Sequence, residues 1–277
     1  MIKRLIALAC IATAFAQSPS AGQRVVLFGG KTGLVLIAAA RDGFAIATDG
    51  AQSNADGTIS QAEKLFAIGK EGAVAIAGAV SVQDPVTRPV REEFDVAGMV
   101  GAWVDSHPEA SLDSAIREIS TMVSNNANRF FAARVSQKDA GQYKFTLVFA
   151  GYNGDKPVLT GTRYYMPLAK GKPMKIVPIT AEIKAGKLFV FGPGAVADQL
   201  LSGTSTSLKK FAAEAAVKKY RSLRAGQLTA QDLGQLFRVI LQATESPEGR
   251  KLSGKIFVAP PHKLGVIIPK QGVNLSK

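Results

Sequence analysis

Short apolar runs follow one another in blocks along this sequence, and the order of the blocks restricts the fold more than any single motif. Strand-like runs fill residues 25–79, two helical stripes lie within 94–131, strands return within 144–192, and two more helices and a strand pair follow. Segregated blocks of this kind are typical of sheet layers covered by helices, rather than of alternating β-α-β units. The sequence therefore predicts an α+β fold, without internal repeats or low-complexity segments.

The boundaries of these elements follow from periodicity, turn residues and capping residues. The first strands are apolar on both faces, which favours a sheet that is covered on both sides. Ser111 and the Thr229-x-x-Asp232 pattern mark helix starts. The main predicted elements are strands Val25–Phe28 and Thr32–Ala40, a hairpin turn at Asp42-Gly43, a returning strand Phe44–Thr48, helices Phe94–Val104, Leu112–Phe131, Ala195–Leu223 and Thr229–Glu245, and a closing strand pair, Ile256–Ala259 and Leu264–Ile268.

The N-terminus has the three parts of a secretory signal. Lys3 and Arg4 form a charged head, and the 12 residues Leu5–Ala16 form an apolar stretch that ends in small residues. That stretch is too short to span a bilayer, so we expect cleavage after Ala16 and export to the periplasm or the medium, without membrane insertion. A lipid anchor on Cys10 is the alternative. The predicted organisation is a signal peptide at 1–16, a propeptide or N-terminal extension at 17–31, and one domain at 32–277.

Composition excludes several kinds of site. Cys10 is the only cysteine and leaves with the signal, which excludes disulfides, cysteine nucleophiles and cysteine metal sites. The net charge is +13, yet no aromatic platform or recognised binding motif accompanies the basic residues, so we expect a solvated basic helix face and no nucleic-acid partner. A third hypothesis is that the exported protein binds anionic surfaces. The basic residues on one predicted helix are Lys209, Lys210, Lys218, Lys219, Arg221 and Arg224.

Two side chains near the first hairpin offer chemistry without a histidine. His107 and His262 are the only histidines, each stands beside a proline, and neither has an evident partner, which argues against a Ser-His-Asp triad. The hairpin would bring Thr32 and Asp49 to within about 10 Å of each other. A hydroxyl nucleophile without histidine needs another base, and the chain's own α-amino group, with a pKa of about 7.7–8, is one solution after proteolytic exposure.

Several segments in order resemble the opening and later strands of proteasome β-type subunits. TGLVLI at 32–37, DGFAIATD at 42–49, EKLF at 63–66 and AIAG at 75–78 look like the family's first strands. FTLVFAGY at 145–152, FGPG at 191–194 and Ser253-Gly254 are similar to its later elements, so that the resemblance covers about residues 30–269.

This resemblance implies an N-terminal nucleophile hydrolase with a four-layer αββα sandwich. It implies that Thr32, freed by autoproteolysis after Lys31, is both nucleophile and base of a threonine-type peptidase or amidohydrolase, with no metal or other cofactor. Lys64 would lower the pKa of the amine, and Asp49 would hold Lys64. The backbone N–H of Gly78 would donate to the oxyanion, and Ser253 would relay protons. The partners would be a peptide or small amide substrate and further copies of the chain in a homo-oligomer.

The sequence departs from the family's pattern at three places, which keeps a catalytically inactive binding or assembly module as the alternative. Thr32 and Asp49 stand one residue further apart than in the family, and strict counting reaches Gly33. Strand register favours Thr32 if the extra residue lies in the turn at 38–41, where bulges are tolerated. Pro193 replaces a serine, and Arg250 stands where an aspartate is usual.

Overall fold

The computed structural model describes residues 25–29, 33–53, 59–79, 81–83, 93–223, 227–253 and 267–269. The predicted signal peptide, Thr32 and the predicted strand at 256–259 lie outside these ranges. Among the described helices, none combines the length and the apolar character that crossing a bilayer requires.

Two five-stranded sheets form the centre of the fold. The first sheet has its strands in the order β1 (Val25–Gly29), β13 (Leu188–Phe191), β2 (Val35–Ala39), β3 (Gly43–Thr48) and β14 (Ile267–Pro269). The second has the order β12 (Lys175–Thr180), β11 (Lys156–Tyr165), β10 (Tyr143–Asn153), β7 (Gly72–Gly78) and β6 (Leu65–Ile68). Two small hairpins pair β4 (Ala51–Ser53) with β5 (Ile59–Gln61) and β8 (Ser81–Gln83) with β9 (Glu93–Asp95).

Helices cover the outer face of each sheet. Helices α1 (Val96–Ser106) and α2 (Leu112–Ala132) pack on the second sheet. The first sheet is covered mainly by α3 (Ala195–Ser202), α5 (Ala215–Ser222) and α6 (Ala230–Glu245), beside the shorter α4 (Lys209–Ala212) and α7 (Pro247–Ser253).

Alternation along the strands fills all three apolar layers. On β2, Val35 and Ile37 face the second sheet, whereas Leu36 and Ala38 face the helices. Every residue of β2 and β3 is buried, because both faces of this sheet are covered. The predicted α+β, four-layer αββα sandwich is confirmed.

Capping residues start two of the longer helices where the sequence predicts. The Ser111 hydroxyl accepts a hydrogen bond from the Ser114 N–H at 3.2 Å at the start of α2. Thr229 and Asp232 form the predicted capping box of α6. Asp42, from the β2–β3 hairpin, adds a carboxylate that accepts from the Ala230 N–H at 2.7 Å and so ties that hairpin to α6.

The single helix predicted over Ala195–Leu223 is wrong. The chain forms α3, α4 and α5 instead, because Gly203, which follows the last residue of α3, is left-handed with φ 79°. Glu214, before α5, has φ −58° and ψ 141°, which are not helical angles. The polar run Thr204–Ser207 separates α3 from α4. The predicted basic face is therefore divided between two short helices, with Lys209 and Lys210 on α4 and Lys218, Lys219 and Arg221 on α5.

Candidate active site

A buried ion pair joins the two sheets at one end of the sandwich. Asp49 follows β3, and its backbone N–H donates to the Leu34 carbonyl at 3.0 Å in the first sheet. Lys64 precedes β6, and its carbonyl accepts from the Ile76 N–H at 2.8 Å in the second sheet. The Lys64 Nζ donates to Asp49 Oδ1 at 2.7 Å, and both side chains are 0% exposed. Asp49 and Lys64 thus meet, as the resemblance implied.

This pair is difficult to explain by stability alone. Burying two charges costs several kcal/mol each, and well-packed apolar residues of the same volume often stabilise a fold as well or better. The other carboxylate oxygen of Asp49, Oδ2, is buried and has no hydrogen-bond partner among the described residues. Ionisable groups that are buried beside a specific charge partner are candidates for a functional site.

Three glycines bring the strand ends of both sheets into contact beside the pair. Gly33, Gly78 and Gly192 all have left-handed φ, at 68°, 102° and 97°. A Cβ on Gly33 would lie 2.5 Å from the Gly78 nitrogen, and one on Gly192 would collide with the Gly33 carbonyl oxygen. Only glycine permits this approach. We call these three residues the glycine junction.

The backbone nitrogen of Gly78 lies next to the start of β2. N–H groups alternate in direction along a strand, so that of Gly78 points to the same side as that of Ile76, which donates to Lys64. Gly33 is close to the Gly78 nitrogen, since a Cβ on Gly33 would lie 2.5 Å from it. The site therefore offers a backbone donor, a buried lysine and a carboxylate next to residue 33.

The β2–β3 hairpin differs from the predicted hairpin in two details. Its two-residue loop is Arg41-Asp42, not Asp42-Gly43, because the Ala40 N–H donates to the Gly43 carbonyl at 2.7 Å. Pairing then runs without interruption from Ala39↔Phe44 to Val35↔Thr48. No extra residue is accommodated at 38–41, so the predicted bulge is wrong, and strict counting from Asp49 reaches Gly33. Thr32, one peptide bond earlier, lies outside the described residues, and its role stays a prediction.

The other positions that the sequence analysis singled out have no recorded contact with the Asp49–Lys64 pair among the described residues. Ser253 is the last residue of α7, and its side chain lies outside the described part of the chain. Arg250 is exposed on the same helix. Pro193 stands between Gly192, whose N–H donates to the Gly29 carbonyl at 3.0 Å, and Gly194, the N-cap of α3. His107 is exposed, as predicted, and stacks on Trp103 with ring centroids 4.5 Å apart.

Two features of this region were not foreseen. Strand β1 pairs in parallel with β13, so the segment upstream of Thr32 is an edge strand of the first sheet. Tyr143 donates from its hydroxyl to the Ala77 carbonyl at 3.0 Å, next to Gly78. Burial raises the pKa of Tyr143 to about 12, against smaller opposing effects of the Thr146 hydrogen bond and the Arg163 charge, so the phenol is neutral at pH 7.

Among the described residues, no group of three acidic, histidine or cysteine side chains is placed to bind a metal ion.

Comparison with known proteins adds structural similarities at low identity. No family model and no curated protein matches the chain. Similar solved structures are Anbu, "ancestral beta-subunit", from Yersinia bercovieri (14% identity, TM-score 0.45, 87% of this chain and 88% of that one) and the helical assembly of the Anbu complex from Pseudomonas aeruginosa (16%, TM-score 0.47, 86% and 84%). A third is an Anbu (Gly-1) mutant from Hyphomicrobium sp. strain MC1 (13%, TM-score 0.43, 86% and 88%).

These findings correct the resemblance to proteasome β-type subunits that the sequence suggested. No family model supports it, and the similar structures are titled Anbu. Identities of 13–16% transfer neither an activity nor a catalytic residue to this chain.

Proposed function

We propose that this chain is a hydrolase of peptide or other amide bonds whose nucleophile and base are the hydroxyl and the freed amine of Thr32. The observation that carries the proposal is the fully buried, 2.7 Å ion pair of Asp49 and Lys64 at the sheet end where residue 33 lies. A lysine charge close to the amine disfavours a second positive charge, which keeps the amine an effective base. Asp49 compensates the lysine charge and fixes its position.

The reaction would proceed in two stages through an acyl-enzyme. In the first, the Thr32 oxygen attacks the carbonyl carbon, the amine accepts the hydroxyl proton, and that proton passes to the leaving nitrogen as the amide bond breaks. The N–H of Gly78 would donate to the oxyanion, an interaction worth about 3–4 kcal/mol in the transition state elsewhere. In the second stage, water attacks the ester and restores the hydroxyl.

The proposal includes a maturation step. Cleavage between Lys31 and Thr32 would free the amine and would separate β1, which lies within the proposed propeptide at 17–31, from the catalytic part of the chain. Export directed by the signal at 1–16, to the periplasm or the medium, and assembly with further copies of the chain remain parts of the proposal.

Intact mass spectrometry of the purified protein tests this function. The wild-type chain is expected to convert to a species that begins at Thr32, Thr32→Ser is expected to convert more slowly, and Thr32→Ala is expected to remain uncut. Cleavage of Thr32→Ala in a protease-free preparation would exclude self-processing. A folded wild-type chain that stays uncut would remove the catalytic amine and with it the proposed mechanism.

A second candidate, an inactive binding or assembly module, is favoured by the hairpin register. Uninterrupted pairing from Ala39 to Val35 makes Gly33 the residue at the expected nucleophile position, and Gly33 has no hydroxyl. The parallel pairing of β1 with β13 also suits a segment that is retained. A stable species that begins at Gln17 and shows no amidase activity would support this candidate.

A further inference from the structure

Arg163 lies in the layer between the two sheets, underneath β1. It is on β11, opposite Thr146 on β10 and Val177 on β12. Thr146 faces the space between the sheets, since its neighbours on that face, Val148 and Ala150, belong to the apolar layer there. The guanidinium carbon of Arg163 lies 5.6 Å from the ring centroid of Phe28, a residue of β1 in the other sheet.

Two donors of the guanidinium have no acceptor among the described residues. Its Nε and Nη2 are buried and have no hydrogen-bond partner among the described residues, and no carboxylate of those residues pairs with it. The nearby phenol of Tyr143 is neutral at pH 7 and cannot compensate the charge, because burial raises its pKa to about 12. Most buried polar atoms in proteins are satisfied, so two buried guanidinium nitrogens without a partner in the described part of the chain call for an explanation.

The two unused donors have a specific chemical match. Nε and Nη2 occupy one edge of the planar guanidinium, and their N–H groups are parallel. A carboxylate accepts two such parallel hydrogen bonds with its two oxygens, which gives both strength and directional specificity. Phosphate would also match this edge, but the proposed substrates are peptides, which carry carboxylates.

We propose that Arg163 binds a carboxylate of the substrate, and that Phe28 of β1 covers this subsite until β1 leaves. This inference rests on the proposed function, which supplies both the peptide substrate and the cleavage that frees β1. Phe28 stacks on Phe191 with ring centroids 4.4 Å apart and an interplanar angle of 2°, so its ring is held over the guanidinium.

The strand register also relates the position of Arg163 to that of Gly78, the proposed oxyanion donor. Arg163 pairs with Thr146, and Thr146 pairs with Ala77, the neighbour of Gly78. The backbones of β11 and β7 are therefore about 10 Å apart, a span that an extended peptide covers in about three residues. The carboxylate is therefore either the C-terminus of a short peptide or an acidic side chain at that spacing.

Direct binding tests the subsite without requiring catalysis. The protein is the full chain with Thr32→Ala and Phe28→Ala, so that it neither processes itself nor covers Arg163. The probes are N-acetyl-trialanine as the free acid, the same peptide as the C-terminal amide, and N-acetyl-Ala-Asp-Ala-amide, each titrated by calorimetry at pH 7. Binding of the free acid or of the aspartyl peptide is expected to be at least tenfold tighter than binding of the trialanine amide, and the stronger of the two identifies the source of the carboxylate.

Matched variants assign the effect to Arg163 and Phe28. Adding Arg163→Gln is expected to abolish the preference for a carboxylate, whereas adding Arg129→Gln, which changes an exposed arginine on α2, is expected to leave it intact. Leu27→Ala in place of Phe28→Ala alters the other face of β1 and leaves Phe28 over Arg163. This protein is expected to bind the carboxylate peptides at least tenfold more weakly than the Phe28→Ala protein does. If Phe28→Ala does not fold, Phe28→Leu takes its place.

Equal binding of the carboxylate peptides and the amide, no binding of any probe, or a preference that survives Arg163→Gln would overturn the inference. Neither processing nor turnover enters this measurement, so its failure leaves the proposed hydrolase intact. Conversely, a wild-type chain that stays uncut would contradict the hydrolase without affecting the measured preference for a carboxylate.

Discussion

Lys64 and Arg163 both place a positive charge between the two sheets, but their surroundings differ. Lys64 is fully buried and paired with Asp49 at 2.7 Å, in a region where the glycine junction packs backbone against backbone. Arg163 lies under an edge strand, and its Nε and Nη2 find no acceptor among the described residues. The counter-charge separates the two cases: for Lys64 it is a side chain of the fold, and for Arg163 we propose that it is a carboxylate of the ligand.

Removing the counter-charge of Lys64 is expected to have the largest effect. Asp49→Ala leaves a fully buried lysine without its carboxylate, and breaking such a pair costs about 3–5 kcal/mol of unfolding free energy. Urea unfolding at pH 7 measures the loss. The double variant Asp49→Leu with Lys64→Met is the control and is expected to recover most of it, since apolar replacement of both partners is often neutral. A loss below about 1 kcal/mol for Asp49→Ala would show that Lys64 has other compensation.

The glycine junction can be probed by two alanine substitutions with similar backbone angles. Gly29 and Gly33 have φ of 67° and 68°, but a Cβ on Gly29 meets nothing within 4 Å, whereas one on Gly33 lies 2.5 Å from the Gly78 nitrogen. Gly29→Ala is expected to cost about 1–2 kcal/mol from the left-handed conformation alone. Gly33→Ala adds a steric collision and is expected to cost about 3 kcal/mol or more.

Thermal and urea unfolding of the two variants, measured side by side, give the difference. Equal losses for the two variants would mean that Gly78 does not approach Gly33 as closely as the structure indicates, and would weaken the assignment of Gly78 as the oxyanion donor.

Tyr143 gives the Arg163 region a signature at alkaline pH. Its pKa rises from 10.0 to about 12 on folding, chiefly through burial. The unfolded chain therefore loses the phenolic proton first, and the stability that this group contributes is complete below pH 10 and is lost as the pH rises through 12. A shift of about two units corresponds to about 2–3 kcal/mol.

Replacing the phenol isolates this contribution from the other groups that titrate at high pH. The wild type is expected to lose about 2–3 kcal/mol more than Tyr143→Phe between pH 9 and pH 12, as measured by urea unfolding at each pH. Parallel pH profiles for the two proteins would contradict the deep burial of this hydroxyl beside Ala77.

The regions around Lys64 and Arg163 also differ in how much of each could be predicted from the sequence. Ser111, the Thr229 capping box and the apolar character of both faces of the first strands are local signals, and the structure confirms them. The end of α3 at Gly203 could have been predicted from the sequence, since a glycine followed by a polar run such as Thr204–Ser207 commonly ends a helix. Asp49 and Lys64 were paired through a resemblance, because nothing local links residues 15 apart.

Arg163 has no such local signal. In the run Gly161-Thr162-Arg163-Tyr164, an arginine at an alternate position of a strand ordinarily faces solvent. The ring that lies over its guanidinium belongs to Phe28, which comes from more than 130 positions earlier in the chain, on β1 in the other sheet. Only the tertiary arrangement shows that the guanidinium is covered.

Neutralising Arg163 is expected to have the smallest effect on stability, and in the opposite direction. Buried donors without acceptors oppose folding, and Nε and Nη2 of Arg163 have none among the described residues. Arg163→Met, which keeps an unbranched side chain next to Phe28, is therefore expected to raise the unfolding free energy by about 1–2 kcal/mol. Arg129→Met, on the exposed face of α2, is the control and is expected to change it by less than about 0.5 kcal/mol. Urea unfolding at pH 7 measures both. A destabilised Arg163→Met would mean that the guanidinium already has a counter-charge, and Arg163 would then resemble Lys64 rather than contrast with it. If Arg163→Met is more stable than the wild type and has lost the preference for carboxylate peptides, the guanidinium destabilises the fold and binds the ligand, as proposed.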